Sequence, residues 1–475
     1  MEYTDSDLCY ITATEALSAF RARTLSPVEL MQALIKRTEE VGERLNCLTY
    51  NYFERALEQA REAESVYARN PDETRPLEGV PCAIKDYHPV AGEITTYGSK
   101  AFADFRPERS APTVERLSEA GAIIHCRTTT PEHGHAAVTR SLLWGITRNP
   151  WNTEFSPGGS SGGAGAALAA GMTTIADGTD GGGSIRIPAS ACGIFGYKPP
   201  FGRNPLDREH PSEMVLHYGP MTRSVADAAL MQNVMSGQHP ADIHSLRDKI
   251  TLPTEFEPLS GRRIALSMDL GYVEISEEVQ QNTRRAAAVF ETLGCTVDEV
   301  DLGWDYGVLD AWLVNWEGLF WALAGDQLPR WRFEMDPFVV KLIERGSTHT
   351  VDRFYGVHRV RYQMYQKIGK VFEDYDLVLC PTLAVPSVAA CHDNEDKTFT
   401  INGKHVDPYL GWVLTYPFNL VSPLPVASVP TGFSPTSGVP TGMQIIGPAF
   451  DDLSVFTAAA AYEGAAPWRQ HRPTL

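Results

Sequence analysis

A glycine-rich stretch with several serines could carry out acyl transfer in this chain. It reads SPGGSSGGAGAALAAGMTTIADGTDGGGSIRIPAS over residues 156–190 and holds no histidine. Gly181, Gly182 and Gly183 lead directly into Ser184, and consecutive glycines let several peptide N–H groups converge on one oxyanion. The residues alone leave two interpretations of Ser184 open: a nucleophile beside such donors, or a surface serine in a glycine-rich turn.

Ser160 lies in GGSSG (158–162), which matches the G-x-S-x-G pattern of a nucleophile between a strand and a helix. That arrangement needs a strand directly before the serine, but the preceding NPWNTEFSPG contains two prolines and is typical of a turn. A Ser–His–Asp esterase with Ser160 as nucleophile stays an alternative hypothesis. It requires an essential downstream histidine, His349 or His358.

Lys85 closes the apolar run VPCAI and stands near the end of a strand expected over residues 79–86. A lysine at such a place either extends its ammonium group into water or is buried. Burial disfavours the ammonium form and lowers the pKa, which gives a neutral amine that can act as a base. Lys85 is therefore a candidate for the base that the histidine-free stretch lacks.

Alternating strand and helix patterns predict an α/β fold with helices on the faces of a sheet. One helix begins after Ser26, with Pro27 at its first position and Glu29 completing a capping box. Strands are expected at 79–86, 122–127, 263–269, 296–301, 377–380, 426–430 and 442–447, a strand followed by a turn within 173–180, and helices at 53–70, 113–120, 162–172, 224–237, 277–294 and 451–465. No low-complexity linker interrupts the pattern, so we expect one domain over residues 1–475, with a helical segment at about 1–70.

Tryptophan is concentrated in one segment of the chain. Five of the nine tryptophans lie between residues 304 and 331: Trp304, Trp312, Trp316, Trp321 and Trp331. Such aromatic residues either belong to the core or wall an apolar pocket. We expect them to form an aromatic-rich insertion at about 302–352.

The composition argues against two classes of partner. The chain has 475 residues, of which 41 are Lys or Arg and 59 are Asp or Glu, for a formal charge of −18. This charge disfavours nucleic acids and anionic membranes as partners. The sequence shows no signal peptide, no run of 18 apolar residues and no CxxC pair among its eight cysteines, so we expect a cytoplasmic protein.

The segment HCRTTTPEHGH contains four potential metal ligands: His125, Cys126, His133 and His135. Their spacing fits no standard zinc site. We therefore expect no metal ion at this segment.

Several motifs resemble the amidase signature family. They are GGSSGG (158–163), GTDGGGSIRIPASACGIFGYKPPFGR (178–203), the lysine in GVPCAIKD, TRNPWN (147–152), PMTRSVADAA (220–229), DLVLCPT (376–382) and GVPTGMQIIGP (438–448). The matches run from about residue 26 to residue 465. This resemblance implies the amidase signature fold, a large mixed central sheet covered by helices on both faces.

The resemblance also implies a Ser–cisSer–Lys triad. Ser184 takes the position of the nucleophile, Ser160 that of the bridging serine and Lys85 that of the base. The bridging serine follows a cis peptide bond, which here joins Gly159 to Ser160. Acyl transfer by such a triad needs neither a metal nor an organic cofactor.

The residues around Ser184 match further positions of the family. Gly181, Gly182, Gly183 and the backbone amide of Ser184 match the oxyanion hole. Asp180 and Arg186 match a charged pair that orders the loop without touching the substrate.

The sequence departs from the common family pattern at positions that could line the pocket. Gly181 stands where threonine is common, Pro200 stands where threonine is usual, and His133 and His135 replace apolar or small residues. These differences leave the substrate class open. We assign four residues to the substrate pocket: His133, Gly134, Trp316 and Trp412.

We expect an amidase that hydrolyses C–N bonds of small, mostly hydrophobic or aromatic amides through a serine acyl-enzyme. The aromatic insertion, together with Tyr409, Trp412 and Phe418, motivates this substrate class. Esters and carbamates share the attacked carbonyl, so a urethanase-type activity is a variant of the same hypothesis. The main alternative is a glutamine-hydrolysing component of a transamidating complex. The sequence leaves the oligomeric state open, with a homodimer as the candidate assembly.

Overall fold

Eleven strands form one mixed sheet in the computed structural model, which describes residues 4–207 and 214–475. The described residues form these eleven strands and four more in two small sheets: β1 (Leu48–Asn51), β2 (Pro81–Lys85), β3 (Ile123–Thr128), β4 (Arg140–Ser141), β5 (Gly145–Ile146), β6 (Ile175–Asp180), β7 (Phe195–Lys198), β8 (His217–Thr222), β9 (Arg263–Leu266), β10 (Thr296–Glu299), β11 (Leu377–Pro381), β12 (Thr400–Ile401), β13 (Lys404–His405), β14 (Val426–Phe433) and β15 (Pro440–Ile446). The order across the large sheet is β1-β3-β2-β6-β8-β7-β14-β15-β11-β9-β10, and β4–β5 and β12–β13 form two small hairpins.

Helices alternate with these strands along the chain. They are α1 (Asp5–Tyr10), α2 (Ala13–Ala22), α3 (Pro27–Leu45), α4 (Phe53–Arg69), α5 (Pro112–Glu119), α6 (Gly162–Ala169), α7 (Arg186–Cys192), α8 (Val225–Met235), α9 (Glu277–Thr292), α10 (Gly307–Ala324), α11 (Leu328–Trp331), α12 (Pro337–Gly346), α13 (Val351–Val371), α14 (Pro417–Leu420) and α15 (Asp452–Ala465). The predicted capping box at the start of α3 is confirmed: the Ser26 side chain accepts from the backbone of Glu29, and Glu29 Oε2 accepts the Ser26 N–H at 2.8 Å.

The two-residue period of the strands divides the core between the two faces of the sheet. On β11, Leu377 and Leu379 pack into a cluster with α9 and α15. Val378 and Cys380 pack into a second cluster, which contains α10, α12 and α14. Helices therefore cover both faces of a mixed α/β sheet, as predicted.

Strand β1 lies within the segment that we predicted as helical, about residues 1–70. It pairs antiparallel with β3 at the edge of the sheet. Strands β7 and β8 were also not predicted. In β8, Gly219 and Pro220 are unfavourable residues for the interior of a strand. The first three residues of the predicted segment lie outside the described residues.

The segment predicted as an aromatic-rich insertion, about residues 302–352, is mostly helical. Helices α10 and α12 lie within the expected 302–352, and α13 continues the helical region to Val371. Both α12 and α13 pack against α10.

The segments that follow β2 and β6 lie at the same end of the sheet, because the two strands are parallel neighbours. Cys82 pairs with Ile175 and Ala83 with Ala176, so the carboxyl ends of both strands point the same way. Helix α6 packs against β2, β3 and β6 with glycine and alanine only, apart from Leu168. A Cβ atom on Gly163 would overlap the backbone of Thr129, so this helix needs its small residues to approach the sheet. Within 4–207 and 214–475, the helices are too short or too polar to cross a bilayer.

Candidate active site

The side chain of Lys85 meets Ser160 at the carboxyl end of β2. Lys85 Nζ lies 2.7 Å from Ser160 Oγ and donates a hydrogen bond to Thr179 Oγ1 at 2.7 Å. All three side chains are buried. Thr179 belongs to β6, so the parallel pairing of β2 and β6 brings the lysine to this position.

The two serine loops contact each other directly. The peptide bond between Gly159 and Ser160 is cis, as the family resemblance implied. The next residue, Ser161, donates its backbone N–H to the carbonyl of Ser184 at 3.1 Å. Ser184 follows β6 by four residues and retains 8% of its surface exposed, while Lys85 is fully buried. The structure therefore brings Lys85, Ser160 and the Ser184 loop together, with Ser184 at the more open side.

Protein donors hold the carbonyl groups of the three glycines before Ser184. The Gly181 carbonyl accepts from Trp312 Nε1 at 3.3 Å, and the Gly182 carbonyl accepts from Thr415 Oγ1 at 2.6 Å. The Gly183 carbonyl accepts from the N–H of Ile187 at 2.7 Å. In a trans peptide the next N–H points opposite to the carbonyl. The N–H groups of residues 182–184 therefore point away from these donors.

Gly183 must be glycine for two reasons. Its φ of +126° is a backbone conformation that other residues rarely adopt. A Cβ atom there would also overlap the hydroxyl of Thr415. The position just before Ser184 thus depends on backbone freedom and on close approach of another side chain.

Asp180 and Arg186 form a buried ion pair beneath this loop. Arg186 Nε lies 3.0 Å from Asp180 Oδ2, and Nη2 lies 2.8 Å from Oδ1. Arg186 also donates to the carbonyl of Thr415 and to the side chains of Gln444 and Asn419. Burial alone would raise the pKa of Asp180, but Arg186 and Asn419 hold it well below its ordinary range. The pair fixes the start of the loop that carries Ser184.

Burial lowers the pKa of Lys85 to about 7, against the charges of Asp177 and Asp180, which raise it. Asp177 Oδ1 accepts the Lys85 backbone N–H at 2.7 Å. A substantial fraction of Lys85 is therefore neutral near pH 7. Because Nζ donates one N–H to Thr179, the lone pair of the neutral amine is available to the Ser160 hydroxyl.

Two of the four residues predicted for the pocket lie against these loops. A Cβ atom on Gly134 would lie 3.2 Å from Ser160 Oγ, and the ring of Trp316 lies against Gly181. The other two contact different groups. His133 packs against the rings of Tyr97 and Phe102, and Trp412 is fully buried, with its Nε1 donating to the Pro408 carbonyl.

The histidines of the alternative hypotheses have other partners. His349 lies between α12 and α13 with Nε2 2.7 Å from Glu317, and the ring of His358 packs on Tyr355. His125, one of the four potential metal ligands, contacts Thr173 Oγ1 at 3.0 Å. Burial lowers the pKa of His125 to about 4. Across the part of the chain that the structure describes, no three His, Cys, Asp or Glu residues are grouped to hold a metal ion.

Sequence reasoning missed several residues that contact the catalytic loops. Thr179 and Asp177 stand inside the motif ADGTD, so their alternation along β6 could have suggested them. Thr415 and Asn419 lie more than 200 residues downstream, and no local pattern indicated them. Trp312 was noted only as one of several aromatic residues.

Comparison with known proteins places the chain among amidases. A family model described as Amidase matches residues 29–456. An acylamidase of Rhodococcus erythropolis is 33% identical over 99% of this chain and 98% of its own length. A glutamyl-tRNA(Gln) amidotransferase component of Moorella thermoacetica is also 33% identical, over 99% of both chains.

A solved structure agrees with these matches. It is a bacterial aryl acylamidase of the amidase signature enzymes, with a TM-score of 0.90 and 32% sequence identity, covering 97% of each chain. Because the family match and these relatives span nearly the whole chain, the protein belongs to the amidase signature family and is an amide-bond hydrolase.

Proposed function

We propose that this protein hydrolyses small hydrophobic or aromatic amides through an acyl-enzyme on Ser184. The observation that carries the proposal is the contact of 2.7 Å between the buried amine of Lys85 and Ser160 Oγ, beside the glycine loop of Ser184. A base within hydrogen-bond distance of a relay hydroxyl is what nucleophilic catalysis needs. Ser160 is the relay, and Lys85 is the base.

The mechanism transfers one proton in each direction. Ser160 gives its proton to neutral Lys85 and takes the proton of Ser184, whose Oγ attacks the substrate carbonyl. The N–H groups of residues 182–184 bind the oxyanion. When the C–N bond breaks, the leaving amine takes a proton from Ser160, which regains one from the Lys85 ammonium. Water then attacks the ester on Ser184 by the same relay and releases the acid.

The aromatic residues near the loop support an aromatic or hydrophobic substrate. The rings of Trp312 and Trp316 stack on each other beside Gly181 and Gly182. Trp316 Nε1 donates a hydrogen bond to the hydroxyl of Tyr409 at 3.0 Å. Apolar rings at this place suit an apolar group better than the polar side chain of glutamine. The matches to an acylamidase and an aryl acylamidase agree with this choice. Carbamates and esters present the same carbonyl and are included in the proposal.

A panel of substrates tests this choice. We expect the purified chain to hydrolyse anilides with a higher kcat/KM than aliphatic amides or glutamine, and aryl carbamates and esters to be turned over as well. The readout is release of the aniline or phenol, with the Ser184→Ala variant as the blank. Activity confined to glutamine would instead support a component of a transamidating complex.

The rate should rise with pH through about 7. Lys85 must be neutral to accept a proton, and burial lowers its pKa to about 7. We expect kcat/KM for an anilide to increase about tenfold per pH unit below this value and to level above it. Burial raises the pKa of Asp177 to about 7, so Asp177 is only partly ionised where Lys85 titrates. Its remaining charge raises the pKa of Lys85, so the midpoint should move to lower pH in Asp177→Asn.

The pH profile is measured only where circular dichroism shows that each variant stays folded. A rate that fell on raising the pH from 6 to 8 would contradict a neutral Lys85 as base.

We also propose one domain over residues 1–475 that acts in the cytoplasm. The large sheet takes strands from Leu48 to Ile446, which supports a single domain. All eight cysteines are free thiols and seven of them are buried, which suits a reducing compartment.

A further inference from the structure

Two tryptophans of α10 lie directly on the glycines that precede Ser184. The rings of Trp312 and Trp316 stack with 4.9 Å between their centroids and 26° between their planes. A Cβ atom on Gly181 would lie 2.9 Å from Trp316 Cζ3, and one on Gly182 would lie 2.7 Å from Trp312 Cζ2. Both distances are well below the optimal separation of about 3.5–4.0 Å between carbon atoms. The two rings therefore occupy the space that side chains at positions 181 and 182 would need.

Trp312 also fixes the orientation of a peptide group in this loop. Its Nε1 donates to the Gly181 carbonyl at 3.3 Å, which turns the N–H of Gly182 to the opposite side. Thr415 acts in the same way on the next peptide group, through its bond of 2.6 Å to the Gly182 carbonyl. The directions of two successive N–H groups thus depend on side chains from distant parts of the chain.

The far side of the tryptophan stack is anchored to the loop beside Ser160. Trp316 Nε1 donates to the hydroxyl of Tyr409 at 3.0 Å, and that hydroxyl donates to the carbonyl of His135. The preceding residue, Gly134, lies against Ser160 Oγ. This set of contacts joins the loop of Ser184 to the loop that touches Ser160.

We propose that Trp312 and Trp316 are positioning residues that hold the oxyanion loop in its catalytic orientation. Gly181 is the matching adaptation, because the side chain of a threonine at this position would collide with the ring of Trp316. This inference rests on the proposed function, since it takes the N–H groups of the loop as the oxyanion donors. Trp312 and Trp316 do not touch the reacting atoms, but they set the direction of the backbone N–H groups that bind the oxyanion.

The first test removes the orienting hydrogen bond and keeps an aromatic ring. We expect Trp312→Phe to lower kcat for an anilide about tenfold, with KM changed by less than about twofold, because the donor acts on the transition state. Thr415→Val should act in the same direction. Trp321→Phe is the matched control, because Trp321 lies on the same helix with 47% of its surface exposed, and it should keep the wild-type kcat.

A transition-state analogue separates orientation from general damage to the fold. A trifluoromethyl ketone adds to a serine nucleophile and places an oxyanion in the site. Its inhibition constant should weaken in Trp312→Phe by the same factor as kcat/KM falls, because both measure binding of the oxyanion. If Trp312→Phe matched Trp321→Phe in kcat and in inhibition constant, the positioning role would be overturned.

The second test uses the steric match between Gly181 and Trp316. We expect Gly181→Ala to lower kcat about 100-fold, since the new methyl group displaces either the ring or the loop. Adding Trp316→Leu removes the ring and should restore at least about tenfold of that loss. A double variant no more active than Gly181→Ala would refute the match.

The outcomes distinguish this inference from the proposed function. If Ser184→Ala retained activity, the proposed function itself would be wrong. If Ser184→Ala were inactive while Trp312→Phe and Thr415→Val turned over like the wild type, only the positioning role would be wrong.

Discussion

Replacing Ser184 with alanine is expected to abolish turnover, with kcat falling by about 10⁵-fold or more. Ser184 Oγ is the atom that forms the acyl-enzyme, so its loss leaves only the binding and oxyanion contributions. Ser160→Ala should retain more activity, with a loss of about 10²- to 10⁴-fold, because it removes a proton relay but not the nucleophile. Release of aniline from an anilide, measured at pH 8, gives both values.

Ser190→Ala is the matched control for these serine variants. Ser190 lies in the same glycine-rich stretch and is fully buried. Within residues 4–207 and 214–475, its hydroxyl has no hydrogen-bond partner. We expect this variant to keep the wild-type kcat, whereas an active Ser184→Ala would assign the nucleophile to another group.

Mass spectrometry gives an independent test of the same residue. An activated ester or a slowly hydrolysed carbamate should leave its acyl group on the peptide that contains Ser184, and the adduct should be missing in Ser184→Ala. An adduct on Ser160 would favour the esterase hypothesis instead.

Local signals pointed to part of the candidate site, whereas the assignment of Lys85, Ser160 and Ser184 as a triad came from the family resemblance. Gly181 to Gly183 indicate converging N–H groups, and the apolar run before Lys85 indicates a buried strand end. The contact between Lys85 and Thr179 could not be predicted in the same way, because it depends on β2 and β6 being parallel neighbours. Pairing of strands that are far apart in sequence leaves no local pattern.

The aromatic insertion shows where residue patterns were informative and where they were not. Trp312, Trp316 and Phe320 recur every four residues, a helical spacing that places them on one face of α10. Trp321 is one position further and is half exposed. The spacing therefore separates the stacking tryptophans from their neighbour, but it gives no sign that the stack lies on Gly181 and Gly182, more than 120 residues earlier.

Arg186→Met is expected to lower the free energy of unfolding by about 3–5 kcal/mol, because it leaves the buried carboxylate of Asp180 without its cation. Arg186 and Asp180 are both fully buried. Arg353→Met is a matched control: its Nη2 lies 2.8 Å from Asp310, the same distance as in the buried pair, but both side chains are at least half exposed. Exposed pairs contribute little to stability, so the control should unfold like the wild type.

The pH dependence of this loss identifies its cause. In the wild type, Arg186 keeps the pKa of Asp180 well below its ordinary range, so the contribution of the ionised pair persists into strongly acidic solution. In Arg186→Met, burial should raise the pKa of Asp180 above its unfolded value of about 3.9. The free energy of unfolding that Arg186→Met loses relative to the wild type is then largest at neutral pH. This loss becomes smaller as the pH falls through the raised pKa of Asp180. Urea and thermal denaturation at pH 5 and pH 8 measure it; a deficit of equal size at both values would indicate lost packing rather than an uncompensated charge.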